Sequence, residues 1–200
     1  MKRSNLNNIM LNTYRHDVIR LLKSNKDNIG VELGVATGVF SLRMVESGYF
    51  SSFFGVDMYA DMHNVDEYKE ALKKVGLHGK YKLLRMTFDE AYDLFKDESL
   101  DFIYIDANHT YESAKEDIQL WYPKIKVGGM ISGHDYIPNR LYKGKEEKNI
   151  PILLDKDKNE GHYYAGMFGV NHAVNEFVDK YNYKLNVTDE FLGTWWVIKK

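Results

Sequence analysis

Four side chains in one part of the sequence could perform acid–base or metal chemistry. Asp106 and His109 stand three residues apart, and His134 and Asp135 are adjacent. Histidine has a pKa near neutrality, so His109 is a natural general base. Carboxylates are ligands that Mg²⁺ prefers, and imidazole suits softer ions. These residues predict proton transfer at His109 and a divalent-cation site at Asp106 and Asp135, with His134 as a third ligand.

A glycine loop earlier in the chain predicts a nucleotide site. Gly34 and Gly38 follow a short apolar run. A dinucleotide loop reads G-x-G-x-x-G, because its middle glycine lets the backbone approach a pyrophosphate. Ala36 takes that middle position, and Glu32 puts a negative charge where a diphosphate would be repelled. A cationic nucleotide without phosphate therefore fits this loop better than a dinucleotide does.

The hydrophobic pattern predicts the elements that position these residues. Strands are expected at 29–33, 53–56, 81–85, 100–105, 130–132, 183–187 and 194–198. Helices are expected at 12–23, 38–47, 64–75, 87–95, 111–121 and 170–181. Alternating strands and helices favour a parallel sheet with helices on both faces, and the last two strands should pair as an antiparallel hairpin. We predict an α/β, Rossmann-like, seven-stranded, mostly parallel sheet with that C-terminal hairpin.

This fold would bring the candidate residues to one edge of the sheet. Ligands of open α/β sheets bind beyond the carboxyl ends of the strands. The expected site is therefore formed by the loops at 34–38, 57, 86–87, 106–109 and 133–135. Thr87 with Glu90 also has the spacing of a helix capping box, which gives Thr87 a structural alternative to ligand binding.

The chain is predicted to form one domain, residues 1–200, that opens with an N-terminal helical segment at 1–28. Residues 137–168 form a long polar insertion, and such loops are usually functional lids or disordered segments. Tyr163, Tyr164 and Phe168 could stack on a sugar or on the aromatic ring of a substrate. We expect a substrate lid, and the alternative is a flexible surface loop.

Composition excludes several classes of function. The formal net charge is −2, which gives no footprint for nucleic acid. The sequence has no cysteine, so disulfides and thiolate metal sites are excluded. We found neither the apolar core of a signal peptide nor a run of about 18 apolar residues that would span a membrane. The expectation is a cytoplasmic protein that acts on a small molecule, without membrane or nucleic acid.

Three stretches carry a family resemblance. "VELGVATG" and "FFGVD" resemble the first two motifs of class I S-adenosylmethionine-dependent methyltransferases, and "DFIYIDANHTYESAKEDIQLWYPKIKVGGMISGHDY" resembles small O-methyltransferases of the macrocin type, which act on sugars. The resemblance spans about residues 29–136 and implies an S-adenosylmethionine site. Its expected contacts are Glu32, Gly34, Ala36, Thr37, Gly38, Asp57, Met58, Thr87 and Asp106.

The resemblance also implies roles for the acidic and imidazole groups. Asp57 would take the ribose hydroxyls, His109 would be the base, and Asp106 with Asp135 would hold a metal ion. His134 departs from the pattern, since such relatives tend to have an acid there. That departure leaves open a softer ion, a two-carboxylate site with His134 turned to the substrate, or no metal. Homo-oligomers are common among such relatives.

The sequence thus predicts S-adenosylmethionine-dependent O-methylation of a small hydroxylated acceptor such as a sugar, with divalent-metal assistance such as Mg²⁺. Two alternatives stay open. One is an NAD-linked oxidoreductase on a similar sheet, against which Ala36 and Glu32 argue. The other is a binding module that keeps the cofactor pocket without the chemistry.

Overall fold

The structure is a computed structural model. It describes residues 8–10, 14–22, 27–60, 63–137, 148–154, 164–190 and 192–200. The strands are β1 Asn8–Met10, β2 Asn28–Leu33, β3 Phe50–Val56, β4 Tyr81–Leu84, β5 Leu100–Ile105, β6 Ile125–Tyr136, β7 Ile150–Leu154, β8 Tyr164–Phe168, β9 Asn186–Thr188 and β10 Gly193–Ile198. The α-helices are α1 Val39–Glu46, α2 Val65–Ala71, α3 Phe88–Tyr92, α4 Tyr111–Trp121 and α5 Val170–Tyr181.

The main sheet confirms the predicted fold class. Within the described residues its order is β1-β9-β10-β6-β5-β2-β3-β4. The five strands from β6 to β4 are parallel to their neighbours, and β10 is antiparallel to both β6 and β9. The seven predicted strands are all present, and β1 adds a short edge strand parallel to β9.

Helices cover both faces of the sheet, because the central strands are apolar on both sides. On one face α1 packs on β3, and the buried side chains include Phe40, Met44 and Phe53. On the other face the large core residues include Trp121 from α4 and Phe177 from α5. This double burial gives β2 and β5 their nearly continuous apolar sequences. None of the helices in the described ranges has the length and apolarity needed to cross a membrane.

The N-terminal segment corrects a prediction. The expected helix at 12–23 is, in its described part, a 3₁₀ turn at Val18–Leu21, and β1 is extended, so the segment 1–28 is not helical throughout. The side chains of Val18 and Ile19 are buried as the apolar pattern suggested. Asn, Thr, His and Asp around them are weak helix formers, so packing rather than helix propensity fixes this segment.

The predicted insertion contains a second, two-stranded antiparallel sheet of β7 and β8. Residues 138–147 and 155–163, including Tyr163, lie outside the described residues, and of Tyr164 the structure describes the backbone. Both ends of this hairpin, which we call the arm, are tied to the start of α4. The Asn149 side chain accepts the Tyr111 N–H at 2.6 Å, and the Gly169 N–H donates to the His109 carbonyl at 2.7 Å.

The glycine loop lies directly against the end of β5. Gly34 has φ +87°, and a Cβ there would be 2.1 Å from the Asp106 carbonyl oxygen. The Asp106 N–H donates to the Leu33 carbonyl at 2.8 Å, which continues the pairing of β2 and β5 past both strands. Glycine at position 34 therefore lets the loop and the candidate acidic site share one backbone contact.

Candidate functional site

The structure brings most of the predicted site residues together at the carboxyl ends of three neighbouring strands. Glu32 lies near the end of β2, Asp106 follows β5, and Asp135 lies near the end of β6. Because these strands are adjacent and parallel, their ends meet at one edge of the sheet. The acids named from the sequence therefore lie at one edge of the sheet, while the roles of these residues stay predictions.

Asp135 is the centre of a small network. His109 Nε2 lies 2.9 Å from Asp135 Oδ2, and His134 Nδ1 lies 3.3 Å from the same oxygen. Consecutive strand residues normally point to opposite faces. Asp135 has a left-handed φ of +57°, which breaks this alternation and lets the adjacent His134 and Asp135 meet. A strained backbone of this kind is typical of functional sites.

The two carboxylate oxygens of Asp106 face different residues. Oδ1 lies 3.7 Å from His134 Nδ1, while Oδ2 accepts a hydrogen bond from Arg15 Nη1 at 3.2 Å. Asp106, His134 and Asp135 offer one ligand atom each within 4.8 Å of one another. One nitrogen and two carboxylate oxygens at this separation fit a divalent cation.

The network keeps its histidines basic and its aspartate ionised. Burial lowers the pKa of His109, but the hydrogen bond and the charge of Asp135 outweigh it, so the pKa is raised. His134 shows the same balance, and its pKa is also raised. Burial opposes ionisation of Asp135, yet its bonds to both histidines hold its pKa well below the usual range.

The ring of His109 is held from a second side by the arm. Phe168, at the end of β8, stacks on the imidazole with ring centroids 4.9 Å apart and planes 8° apart. Phe168 is 1% exposed and packs with Ile137 and Leu192, so this contact is buried rather than part of an open surface. Phe168 was predicted to stack on an acceptor, but in this structure it positions the candidate base instead.

Glu32 is buried beneath the glycine loop and is bonded to a hydroxyl. Its side chain accepts a hydrogen bond from Ser41 Oγ, which lies 2.8 Å from the Tyr81 hydroxyl. Burial raises the pKa of Glu32 to about 8, although the Ser41 bond works in the opposite direction. The nearby charge of Asp106 raises this pKa further, and that of Arg15 lowers it. Glu32 can thus bind a proton or a cation near neutral pH.

Asp57 binds the backbone of the glycine loop. Its Oδ2 accepts the N–H groups of Val35 at 2.9 Å and Ala36 at 3.1 Å, and its Oδ1 accepts the Tyr59 N–H at 2.9 Å. A carboxylate has about four acceptor positions, so three are taken. The ribose contact implied for Asp57 would use the remaining capacity and stays a prediction.

The residues that follow β3 and β4 differ in how exposed they are. Met58 is 38% exposed at the end of β3 and can form a face of a pocket. Tyr59 is buried, and its hydroxyl donates to the Ala36 carbonyl at 2.7 Å, so it supports the loop. The predicted capping box is confirmed, because the Glu90 N–H donates to the Thr87 hydroxyl at 3.3 Å and the Thr87 N–H donates to Glu90 Oε2 at 2.9 Å. A contact between Thr87 and a ligand stays a prediction.

The remaining loop residues shape the turn. Ala36 has φ +48° and Gly38 has φ +76°, and Gly38 precedes the first residue of α1. Thr37 lies between them in the turn. The sequence reasoning missed three contributors to this region, Arg15, Ser41 and Tyr81. No motif points to them: Arg15 and Tyr81 reach the site from distant elements, and Ser41 reaches Glu32 from the first turn of α1.

The fold and this site together define a Rossmann-like methyltransferase domain. Residues 28–136 match the family model described as "Methyltransferase domain". That match covers more than half of the chain, and the protein belongs to this family.

Solved structures share the fold at low sequence identity. A S-adenosylhomocysteine-bound methyltransferase from Podospora anserina is 18% identical, with a TM-score of 0.59 over 86% of this chain and 72% of that one. An O-methyltransferase from Bacillus cereus, also solved with S-adenosylhomocysteine, is 13% identical, with a TM-score of 0.57 over 92% and 78% of the two chains. A S-adenosylmethionine-dependent methyltransferase from Methanosarcina mazei is 16% identical, with a TM-score of 0.61 over 94% and 98%.

Curated relatives are matched over part of their length. A Sinorhizobium fredii protein described as uncharacterized is 29% identical over 50% of this chain and 10% of its own length. One from Acanthamoeba polyphaga mimivirus, also described as uncharacterized, is 26% identical over 53% of this chain and 50% of its own. The chain thus spans about a tenth and about half of these two relatives.

The raised pKa of Glu32 predicts a pH-dependent stability. The folded state holds a proton that a solvated glutamate releases, so this contribution is complete below the ordinary pKa of 4.5 and is lost as the pH rises through about 8. Between pH 5 and pH 9, we expect the unfolding free energy of the wild type to fall relative to that of Glu32→Gln. The expected fall is a few kcal/mol, on the order of the pKa shift of Glu32.

Urea unfolding of the ligand-free protein at several pH values measures this difference. The matched control is Glu70→Gln on the exposed side of α2, whose difference from wild type should stay constant over the same range. A constant difference for Glu32→Gln as well would show that Glu32 is ionised throughout and would contradict the assignment.

Proposed function

We propose that this protein is a S-adenosylmethionine-dependent methyltransferase that methylates an oxygen of a small hydroxylated acceptor, with a sugar as the favoured class. One observation carries the proposal. The amides of Val35 and Ala36, which a dinucleotide loop would offer to a pyrophosphate, are bound to Asp57, and buried Glu32 lies beside them. A ligand suited to this loop is positively charged and needs no phosphate contacts.

The donor chemistry fits this environment. When bound, S-adenosylmethionine supplies an electrophilic methyl group on a sulfonium and carries an ammonium group as well. Asp106 provides negative charge at the edge of the sheet where these cations would lie, and a bound cation would favour the ionised form of Glu32, whose pKa burial raises to about 8. Met58 beyond β3 would contact the adenine, and Asp57 the ribose. Family membership and the fold shared with solved methyltransferases support the same donor.

His109 is the candidate general base. Asp135 engages its Nε2, so Nδ1 is the nitrogen that would take the proton of the acceptor hydroxyl. The aspartate fixes the ring and stabilises the imidazolium that forms, as in other histidine–aspartate pairs. Stacking on Phe168 restricts the ring further. Two contacts from different elements therefore hold the base in one orientation.

Asp106, His134 and Asp135 would hold a divalent cation. A bound cation would lower the pKa of an acceptor hydroxyl and so assist proton removal. The mixed donor set is compatible with Mg²⁺ through the carboxylates and with Mn²⁺ or a softer ion through the imidazole. The His109 bond uses one oxygen of Asp135, so the cation and the base would share that carboxylate.

The arm is the candidate lid over the acceptor. Its ends contact residues on either side of Thr110, the N-cap of α4, because Asn149 binds Tyr111 and Gly169 binds His109. A side chain network adds to this anchor, since Lys148 Nζ lies 2.8 Å from both Tyr111 Oη and Glu176 Oε1. A movement of the arm would therefore change the position of His109.

Binding measurements separate this function from its alternatives. We expect calorimetry to show micromolar or tighter binding of S-adenosylhomocysteine and about a hundredfold weaker binding of NADH, because Glu32 and the engaged loop amides disfavour a diphosphate. Tight NADH binding without S-adenosylhomocysteine binding would instead indicate the oxidoreductase alternative.

Replacement of the candidate base tests the chemistry. His109→Ala should lower kcat about 10²–10⁴-fold, the usual contribution of a general base, while S-adenosylhomocysteine affinity changes little. Turnover is measured by mass shift of acceptors drawn from metabolite extracts. The control His78→Ala, in an exposed turn, should keep wild-type turnover. Near-native turnover of His109→Ala would remove His109 as the base, and donor binding without product from any acceptor would favour a binding module.

Chelation tests the metal. Treatment with EDTA followed by desalting should lower turnover at least about tenfold, and Mg²⁺ or Mn²⁺ should restore it. S-adenosylhomocysteine binding serves as the control, because the glycine loop and Asp57 do not depend on the cation. Full activity after EDTA treatment would exclude metal assistance and leave the histidine–aspartate pair as the catalytic device.

A further inference from the structure

Arg15 brings a positive charge from the N-terminal segment to the acidic edge of the sheet. Its Nη1 donates to Asp106 Oδ2 at 3.2 Å, and its side chain is 31% exposed. The guanidinium also lies over the ring of Phe40, 5.3 Å from the centroid. Burial of Val18 and Ile19 against the core fixes the segment that carries it.

The position of Arg15 is on the donor side of the site. Phe40 is the second residue of α1, immediately after the glycine loop. Glu32, beneath the same loop, is close enough for its charge to act on Arg15. His109 and Phe168 belong to the α4 side of the site instead. Arg15 therefore lies beside the glycine loop, and it is bonded to the oxygen of Asp106 that does not face His134.

The guanidinium has more donors than its one observed bond uses. Arginine presents five N–H groups in a planar fork that matches a carboxylate. Within the described part of the chain, Asp106 is the hydrogen-bond partner of this fork, through one oxygen. A partly exposed ion pair joined by one hydrogen bond contributes little to folding, so the Arg15–Asp106 bond by itself does not account for an arginine here.

Resting on the function proposed above, we propose that Arg15 and Asp106 together recognise the amino-acid end of the methyl donor. Arg15 binds its carboxylate, and Asp106 binds its ammonium group. These two groups of opposite charge sit on one carbon of the donor. The protein offers the complementary pair side by side, with Nη1 and Oδ2 3.2 Å apart. Without the donor, each residue neutralises the other.

This assignment makes Arg15 a specificity-determining residue for the donor. The adenosine part is bound by the glycine loop, Asp57 and Met58, which a nucleoside without an amino acid also satisfies. The Arg15–Asp106 pair adds affinity that depends on the zwitterionic end. Truncation of the ligand and substitution of Arg15 should therefore remove the same interaction.

The experiment compares ligands and variants by calorimetry on the full chain. The ligands are S-adenosylhomocysteine, its decarboxylated analogue, and 5′-methylthioadenosine, which lacks the amino-acid end. Arg15→Gln should weaken S-adenosylhomocysteine binding about 10–100-fold, as expected for the loss of hydrogen bonds to a charged group. Binding of methylthioadenosine should stay within about twofold of wild type. Arg15→Lys keeps the charge without the fork, so its affinity for S-adenosylhomocysteine should be intermediate.

The decarboxylated analogue identifies the group that Arg15 contacts. Wild type should bind it about as weakly as Arg15→Gln binds S-adenosylhomocysteine, and Arg15→Gln should weaken it no further. The matched control is Arg20→Gln in the same segment, whose side chain is 74% exposed and pairs with Asp17 at 3.0 Å. This control should bind all three ligands like wild type.

Three results would overturn the proposal, and each differs from the others. Equal weakening of S-adenosylhomocysteine and methylthioadenosine by Arg15→Gln would assign Arg15 a structural role. Unchanged donor affinity with a raised KM for the acceptor would place Arg15 on the acceptor instead. Wild-type protein that binds none of the three ligands would overturn the proposed function itself, and this inference with it.

Discussion

The architecture of the site depends on how three carboxylates are accommodated at the ends of adjacent strands. Glu32, Asp106 and Asp135 lie close together, and ionised carboxylates in one partly buried region repel each other. Each is compensated differently. Burial favours a proton on Glu32, Asp106 pairs with Arg15, and Asp135 is bonded to two histidines. The negative charge of the site is thus balanced by a proton, an arginine and two histidines.

The glycine loop is held by side chains of the protein itself. Asp57 holds the loop through the amides of Val35 and Ala36, and Tyr59 closes it from below. The two amides that would otherwise attract phosphate are engaged inside the protein. In the proposed function, the engaged amides would disfavour a diphosphate and the nearby carboxylates would favour a cation, so both would act in the same direction.

The arm contacts His109, the candidate base. Its last strand ends on Phe168, which stacks on His109, and the next residue binds the His109 backbone. The ring is thus held between an aspartate of the sheet and an aromatic residue of the arm. This arrangement would connect the proposed lid to the candidate base through one short segment.

Much of this protein is determined locally. The alternation of strand and helix patterns predicts a mostly parallel sheet with helices on both faces, because parallel strands need crossover connections. Glu32, Asp57, Asp106 and Asp135 could be found from their places at strand ends. Ala36 indicates from its residue type alone that a pyrophosphate is disfavoured. The capping box of Thr87 likewise follows from spacing.

The tertiary structure decided the partners of these groups. The contacts of Asp106 with Arg15 and of His109 with Phe168 join residues 91 and 59 positions apart, which a local pattern cannot encode. The N-terminal segment was expected to be a helix, but its described part is a 3₁₀ turn. The helix propensity of this segment is weak, and burial of Val18 and Ile19 fixes its conformation. The sequence by itself therefore determined the fold and the kinds of chemical group at the strand ends. Only packing of distant elements decided which charge faces which, since electrostatic and hydrogen-bond contacts depend on distances of a few ångströms in the folded state.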